Sequence, residues 1–169
     1  MAGAAPRLRG RPTARDRGLR SVRAIVQRVS RAEVRVSGER VGVIGRGLLV
    51  LLGVAPDDDE KIADALARRI VELRIHEDAD GRTNLALGDV GGAVLAVSQF
   101  TLYADTRRGR RPGFVGAAPP AHAETIYRRF CDALEATGTQ VERGRFRAAM
   151  EVELVNDGPF TLWLDSADR

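Results

Sequence analysis

The chain has 169 residues, of which 44% are hydrophobic, so that it can form one core but is short for two full-sized domains. Its net charge of +4 is concentrated in residues 1–21, which hold six arginines and one aspartate, and the nearly neutral remainder argues against capture of a nucleic acid by the whole body. A single cysteine, Cys131, excludes a disulfide framework and a thiolate-rich zinc site, and no run of 18 apolar residues could span a bilayer.

Residues 1–21 are predicted to be a disordered, arginine-rich extension, because they are rich in Gly, Ala, Pro and Arg and show no periodicity. They fit an RNA-attracting tail, a targeting peptide, or a start site assigned upstream of the native one. We favour the third, since regular patterning begins abruptly at Val22 and a GTG start codon is translated internally as valine. Residues 22–169 are then expected to form one domain.

The first half of this domain alternates between apolar and polar residues, which predicts strands at 22–29, 32–36 and 40–44. The wholly apolar run 48–54 predicts a strand that is buried on both faces. Four acidic residues and apolar positions at helical spacing then predict a helix over 57–73.

The second half contains another apolar strand, 93–97, which runs directly into Ser98-Gln99-Phe100-Thr101-Leu102. A loop rich in Gly, Pro and Arg follows, and the later segments are predicted to be a helix at 121–137 and strands at 141–142, 151–155 and 160–164.

The segment Ser98-Gln99-Phe100-Thr101 places two hydroxyls and an amide around an aromatic ring at a strand end. Taken alone, such a tetrapeptide is typical of a polar strand edge. A serine or threonine nucleophile needs a base, and we interpret the two histidines, His76 and His122, as surface residues. A Ser-His-Asp mechanism therefore has little support.

A dense cationic cluster follows this segment, with four guanidiniums in five positions, and we favour phosphate contact over a plain solvated loop. Its members are Arg107, Arg108, Arg110 and Arg111.

Near the end of the chain, Asn156-Asp157-Gly158-Pro159-Phe160-Thr161 interrupts a terminal strand. A plain turn would account for it. Because Pro159 has no N–H, however, this backbone presents carbonyls without a competing donor, which suits a bound ammonium group.

Taken together, the segment from Val22 to about Leu164 resembles the D-aminoacyl-tRNA deacylase family of the D-Tyr-tRNA deacylase type. The two family signatures, Ser-Gln-Phe-Thr and Asn-x-Gly-Pro-x-Thr, stand here as Ser98–Thr101 and Asn156–Thr161. Further matching segments are Gln27-Arg28-Val29, Gly47 to Gly53, Asp105-Thr106, Gly109, Arg111-Pro112 and Leu154 onward.

The resemblance implies an α/β fold in which mostly antiparallel strands curl into a barrel-like sheet with two main helices outside. It also implies a cytoplasmic homodimer that needs no cofactor or metal and has no membrane or DNA partner. Its substrate would be the 3′ end and acceptor stem of aminoacyl-tRNA.

By the same resemblance, Ser98, Gln99, Phe100 and Thr101 form the catalytic segment, in which Gln99 and Phe100 shape the pocket for the terminal adenosine and the scissile ester. Gly158, Pro159, Asn156 and Arg28 are the expected substrate-binding residues. The Gly158–Pro159 bond would be cis, with its carbonyls facing the substrate's α-amino group in the opposite subunit, and Arg28 would steady the loop.

The implied reaction is hydrolysis of the D-aminoacyl ester, with L-residues rejected because their side chain clashes with the wall. Glycine has no side chain to clash, so Gly-tRNA is expected to be hydrolysed as well. Either Thr101 or the tRNA 2′-OH would assist, and the lack of an evident base favours the 2′-OH.

The sequence departs from the family at Phe160, where a smaller β-branched residue is usual, and at Ala104 and Gly113. Phe160 would either tighten the pocket or pack beneath it. A non-catalytic RNA-binding module remains an alternative, although it gives Gly158-Pro159 no role. A structural dimer module is a second alternative, which the sequence by itself does not exclude.

Overall fold

The computed structural model describes residues 21–168, so the extension predicted for residues 1–21 lies outside it apart from Ser21, which is fully buried. Within the described residues, no helix combines the length and apolar character needed to cross a membrane. The elements are β1 (Arg23–Val36), β2 (Glu39–Ile44), β3 (Gly47–Gly53), α1 (Glu60–Val71), β4 (His76–Glu77), β5 (Thr83–Leu85), β6 (Ala93–Ser98), α2 (Pro120–Glu135), β7 (Val141–Arg143) and β8 (Glu151–Asp165), with 3₁₀ turns at Gly88–Val90 and Phe100–Tyr103.

The long strand β1 organises the main sheet. One of its edges pairs with β8 along nearly its whole length, while β3 and β2 pair in succession with the other edge, all antiparallel. Strands β6 and β7 extend the sheet beyond β3 through parallel pairings. Because β1 serves two partners end to end, the sheet curls until β2 approaches β6 and β7, and a Cβ on Gly42 would lie 3.2 Å from the Arg143 carbonyl oxygen. The predicted α/β fold with a mostly antiparallel, barrel-like sheet and two helices is confirmed.

The curl creates two apolar layers. One lies between the sheet and the two helices and contains Val26, Leu52, Ile70 and Phe130, and the other fills the inside of the curl. Strand β3 contributes to both, so the prediction of a strand buried on both faces is confirmed.

Two predicted interruptions are wrong. The segments expected at 22–29 and 32–36 form one strand, and those at 151–155 and 160–164 form the single strand β8. Val29 pairs with Asn156 and Gln27 with Thr161, so four residues of β8 bulge opposite Arg28. Turn-forming residues here produce a bulge rather than a chain reversal, because β1 continues past them and keeps pairing with both halves.

The acidic run before α1 divides its roles. Asp59 caps the helix by accepting a hydrogen bond of 2.9 Å from the Ile62 amide, whereas Asp58 turns inward and accepts one of 2.6 Å from the Ala55 amide. Burial raises the pKa of Asp58 to about 6. The helix therefore begins at Glu60 and not within residues 57–59.

Candidate active site

A cleft of about 540 Å³ opens where β6 ends. Its walls come from the segment after β6, the loop before α2 and the segment between β7 and β8. The lining residues are mainly apolar and include Ser98, Gln99, Phe100, Phe114, Ala118, Phe146, Arg147, Met150 and Val152. Three residues of the Ser98–Thr101 segment therefore face one cavity, while Thr101 is not among its lining residues.

Backbone contacts fix the position of the Ser98–Thr101 segment. The main-chain N–H of Gln99 donates a hydrogen bond of 2.7 Å to the Leu52 carbonyl, which continues the β3–β6 pairing by one residue. The chain then turns into the 3₁₀ segment beside Gly53, where a Cβ would lie 2.9 Å from the Tyr103 ring and 3.0 Å from the Gln99 carbonyl. Glycine at position 53 thus permits the close approach that sets the cleft wall.

The side chains of this segment are arranged around an exposed aromatic pair. Phe100 is 55% exposed and meets Phe114 edge to face, with ring centroids 5.0 Å apart. The side-chain amide of Gln99 donates a hydrogen bond to the Thr101 hydroxyl oxygen. The hydroxyl hydrogen of Thr101 is therefore free to donate elsewhere. Large exposed rings beside oriented polar groups are typical of a ligand site.

Sequence reasoning missed Phe114, Phe146, Arg147 and Met150 as cleft residues. An aromatic residue within a loop of Gly, Pro and Arg was a signal for Phe114. The other three belong to a segment without regular structure, and nothing local indicates which way it faces.

No histidine or carboxylate lines the cleft among the described residues. The interpretation of His76 as a surface residue is wrong, because its side chain is fully buried in β4, and burial is the main cause of its lowered pKa. His122 is half-buried, with Nε2 2.9 Å from the Asp58 carbonyl oxygen. Neither histidine is among the lining residues of the cleft, and neither forms a hydrogen bond with Ser98 or Thr101.

The four clustered arginines lie in a loop, residues 105–113, that we call the arginine loop and that lies beside the cleft. Two hydrogen bonds between the main chains of Asp105 and Gly113 close it, with N–O distances of 2.7 and 2.9 Å. Arg107 forms a bidentate pair with Asp105 at 2.7 and 2.8 Å, which holds the pKa of that carboxyl well below its usual range. Arg108, Arg110 and Arg111 are exposed and form no salt bridge with any residue between 21 and 168. The loop thus carries three guanidiniums that are available to an anion.

The Gly158–Pro159 bond is cis, as the resemblance implied, and its loop is exposed. Beneath it lies Arg28, which is 3% exposed. The Arg28 guanidinium donates to the carbonyls of Asp157 at 3.0 Å and Gly158 at 3.3 Å, and to that of Ile75 at 2.6 Å. A buried arginine thus ties the loop to the segment after α1.

Ion pairs and packing complete the support of this loop. Arg28 pairs with the carboxylates of Asp157 at 3.0 Å and Glu77 at 3.7 Å, and its guanidinium carbon lies 4.5 Å from the centre of the Phe160 ring. Phe160 therefore packs beneath the loop. The Asn156 amide donates to the carbonyls of Arg28 at 2.9 Å and Phe160 at 3.1 Å, which bridges the bulge. Arg28 and Asn156 therefore use their polar groups to hold the loop in place.

One chain does not bring its two signature segments together. Ser98 aligns across the sheet with Leu52, Ala24 and Leu164, whereas the Gly158–Pro159 loop lies opposite Arg28. The two levels differ by four residues, or about 13 Å along the strands. Three strand spacings, β8 to β1 to β3 to β6, separate them in the other direction. Within the described chain they are therefore two separate surfaces.

The geometry predicts that Arg28→Lys is costly for stability. A lysine carries its three donors on one nitrogen, whereas Arg28 reaches the carbonyls of Ile75, Asp157 and Gly158 from three separate nitrogens. Because the compact ammonium cannot span these acceptors, we expect a loss of roughly 2–4 kcal/mol in the free energy of unfolding. Arg31→Lys on the same strand is the matched control: Arg31 forms one exposed pair with Glu153 at 2.6 Å, and about 1 kcal/mol or less should be lost. Urea unfolding at one fixed protein concentration measures both, and equal losses would contradict the role assigned to Arg28.

Comparisons with known proteins agree with this geometry. The family described as D-Tyr-tRNA(Tyr) deacylase matches residues 25–165. A D-aminoacyl-tRNA deacylase of Symbiobacterium thermophilum is 61% identical over 86% of this chain and 96% of its own length, and one of Anaeromyxobacter dehalogenans is 61% identical over 86% and 97%.

Solved structures share the fold. One described as a c-Myc DNA unwinding element binding protein is 40% identical, with a TM-score of 0.79 over 84% of this chain and 97% of its own. Another, described as a probable eukaryotic D-amino acid tRNA deacylase, is 18% identical with a TM-score of 0.75 over 86% and 99%, a likeness that concerns the fold alone. The resemblance drawn from the two signature segments is confirmed, and the chain belongs to the D-Tyr-tRNA(Tyr) deacylase family.

Proposed function

We propose that this protein hydrolyses the ester bond of D-aminoacyl-tRNA and releases the D-amino acid and tRNA. It would thereby remove D-amino acids that were wrongly attached to tRNA before translation uses them. The observation that carries the proposal is the exposed Gly158–Pro159 loop held by the buried Arg28, in a chain 61% identical to deacylases over nearly their whole length. The proposed function gives a role to the Gly158–Pro159 loop, which an RNA-binding module or a structural dimer module would not use.

The cleft suits the 3′-terminal adenosine. Its volume of about 540 Å³ lies within the range of small-molecule sites. Phe100 and Phe114 offer exposed rings on which a base stacks, and such stacking is the usual means by which proteins hold unpaired nucleotides. Gln99, hydrogen-bonded to Thr101, then stands near the ribose and the ester.

The Gly158–Pro159 loop suits the α-ammonium of the substrate. A carbonyl oxygen has two lone pairs, so Gly158 can accept from Arg28 and still accept from a ligand. The carboxylates of Asp157 and Glu77 flank the single buried guanidinium and favour a further cation. With the ammonium and ester both fixed, the side chain of a D-residue leaves outward and that of an L-residue meets the wall.

A second copy of the chain would join the two halves of the site. The loop and the cleft lie on separate surfaces of one chain, so the loop would have to enter the cleft of a partner. Strand β8 pairs only with β1 in the described chain, and it exposes 43% of Val155 and 51% of Trp163 beside the loop. Large apolar side chains on an edge strand favour a homodimer whose interface includes this surface.

The hydrolysis needs little from the protein beyond positioning. An aminoacyl ester is already activated, and the described cleft residues include no base. We therefore favour the tRNA 2′-OH as the group that assists the attack of water, with the Thr101 hydroxyl as the alternative. No cofactor or metal enters this scheme.

The arginine loop would hold the acceptor stem. Arg107, Arg108, Arg110 and Arg111 stand a few residues past the cleft wall, and Arg forks match phosphate oxygens. Arg107 is already paired with Asp105, so the other three should contribute more. A substrate that translation consumes supports a cytoplasmic location for the enzyme.

The substrate preference is tested with tRNA carrying D-Tyr, L-Tyr or Gly. We expect the D-ester to be hydrolysed at least about 100-fold faster than the L-ester, because exclusion by clash is steep. Gly-tRNA should fall between them. Binding of all three without hydrolysis would instead indicate an RNA-binding module, and no interaction a structural role.

Mixing two inactive variants tests the shared site. Gln99→Ala alters the cleft, and Gly158→Val alters the loop at a position where the added Cβ would lie 3.7 Å from the Asn156 side chain, an ordinary contact. In randomly paired dimers, about a quarter of the sites combine an intact cleft with an intact loop, so about a quarter of the activity should return. Isolated heterodimers that stay inactive would mean that each site forms within one chain.

The assisting group is tested by removing each hydroxyl in turn. Thr101→Val should lower kcat less than about tenfold, whereas a substrate ending in 2′-deoxyadenosine should lose about 10²–10⁴-fold, the range of general acid–base assistance. The opposite result, with a folded and dimeric variant, would transfer the role to Thr101.

A further inference from the structure

Arg147 is the one charged side chain among the described residues that line the cleft. Apart from Ser98 and Gln99, its neighbours in the lining are apolar or small. An exposed guanidinium beside an apolar wall offers its charge and its donors to an anion that enters the cleft. Its position therefore indicates where a ligand in this cleft carries negative charge.

The neighbouring arginines are occupied, whereas Arg147 is not. Arg143 pairs with two carboxylates at 2.9 and 2.7 Å, and Arg145 approaches Glu39 at 3.8 Å. Arg147 forms no salt bridge or hydrogen bond with any residue between 21 and 168, and its side chain is exposed. It is available to a ligand without breaking an existing contact.

The backbone at Arg147 adds a second observation. Its φ is 63°, in the left-handed region that L-residues rarely adopt and glycine adopts readily. The sequence thus keeps an arginine where the backbone favours glycine. Such an unfavourable conformation at a cleft is typical of a residue whose side chain is used.

We propose that Arg147 binds the phosphate on the 5′ side of the terminal nucleoside of aminoacyl-tRNA. The proposal rests on the function proposed above. A cleft of about 540 Å³ takes the terminal nucleoside and its ester, and the first charged group that the chain of the tRNA then presents is this phosphodiester. Arg147, which lines the cleft and is exposed, is available to meet it.

The test uses two amide-linked, non-hydrolysable D-aminoacyl-adenosine analogues, one with and one without a 5′-phosphate. The wild-type protein should bind the phosphorylated analogue about tenfold more tightly. Arg147→Gly should abolish that preference, and Arg147→Lys should retain part of it. Arg145→Ala, a change on the same segment outside the cleft lining, should keep it in full.

Stability measurements separate this role from a structural one. Arg147→Gly relieves the left-handed backbone, so its melting temperature should equal or exceed that of the wild-type protein while its phosphate preference disappears. A wild-type protein without the preference, or an Arg147→Gly variant that keeps it, would overturn the assignment. Failure of the wild-type protein to hydrolyse D-aminoacyl-tRNA would instead overturn the proposed function, whatever the analogues show.

Discussion

A guanidinium inside a protein must have its charge and its donors satisfied by protein groups, because water does not reach it. Arg28 meets this requirement with three main-chain carbonyls, two of which belong to the bulge of β8. The bulge in turn presents Gly158 and Pro159 at the surface, bridged by Asn156 and supported from below by Phe160. The conformation of the exposed loop is thus a consequence of how a buried charge is paired.

The curl of the sheet keeps the two signature segments apart within one chain. By pairing β3 and β2 in succession, β1 sets the level at which each strand ends, and the cleft and the loop come to lie on separate surfaces of the chain. Chemistry that needs both must draw them from two chains. In the homodimer proposed above, symmetry would repeat the contact, so that each loop would have a cleft to enter.

The cleft combines an apolar wall with very few polar groups. Phe100 and Phe114 provide stacking surface, Gln99 provides a hydrogen-bonding group that its contact with Thr101 orients, and Arg147 provides the one charge among the described lining residues. Such a surface can hold and orient a reactive ester but offers no strong base. Discrimination by shape and reaction of an activated bond fit this composition better than nucleophilic catalysis does.

The sequence by itself determined the family, the buried strand β3, the two helices and the identity of both signature segments. These features can be predicted because they depend on local periodicity or on short motifs. Both arise from the preference of each residue for burial and for a backbone conformation. Only the tertiary structure decided that residues 151–165 form one bulged strand, that His76 is buried, and that Phe146 and Arg147 line the cleft. These facts depend on strand register and on the curl of the sheet, which bring together segments far apart in the chain and leave no periodic trace in either segment alone.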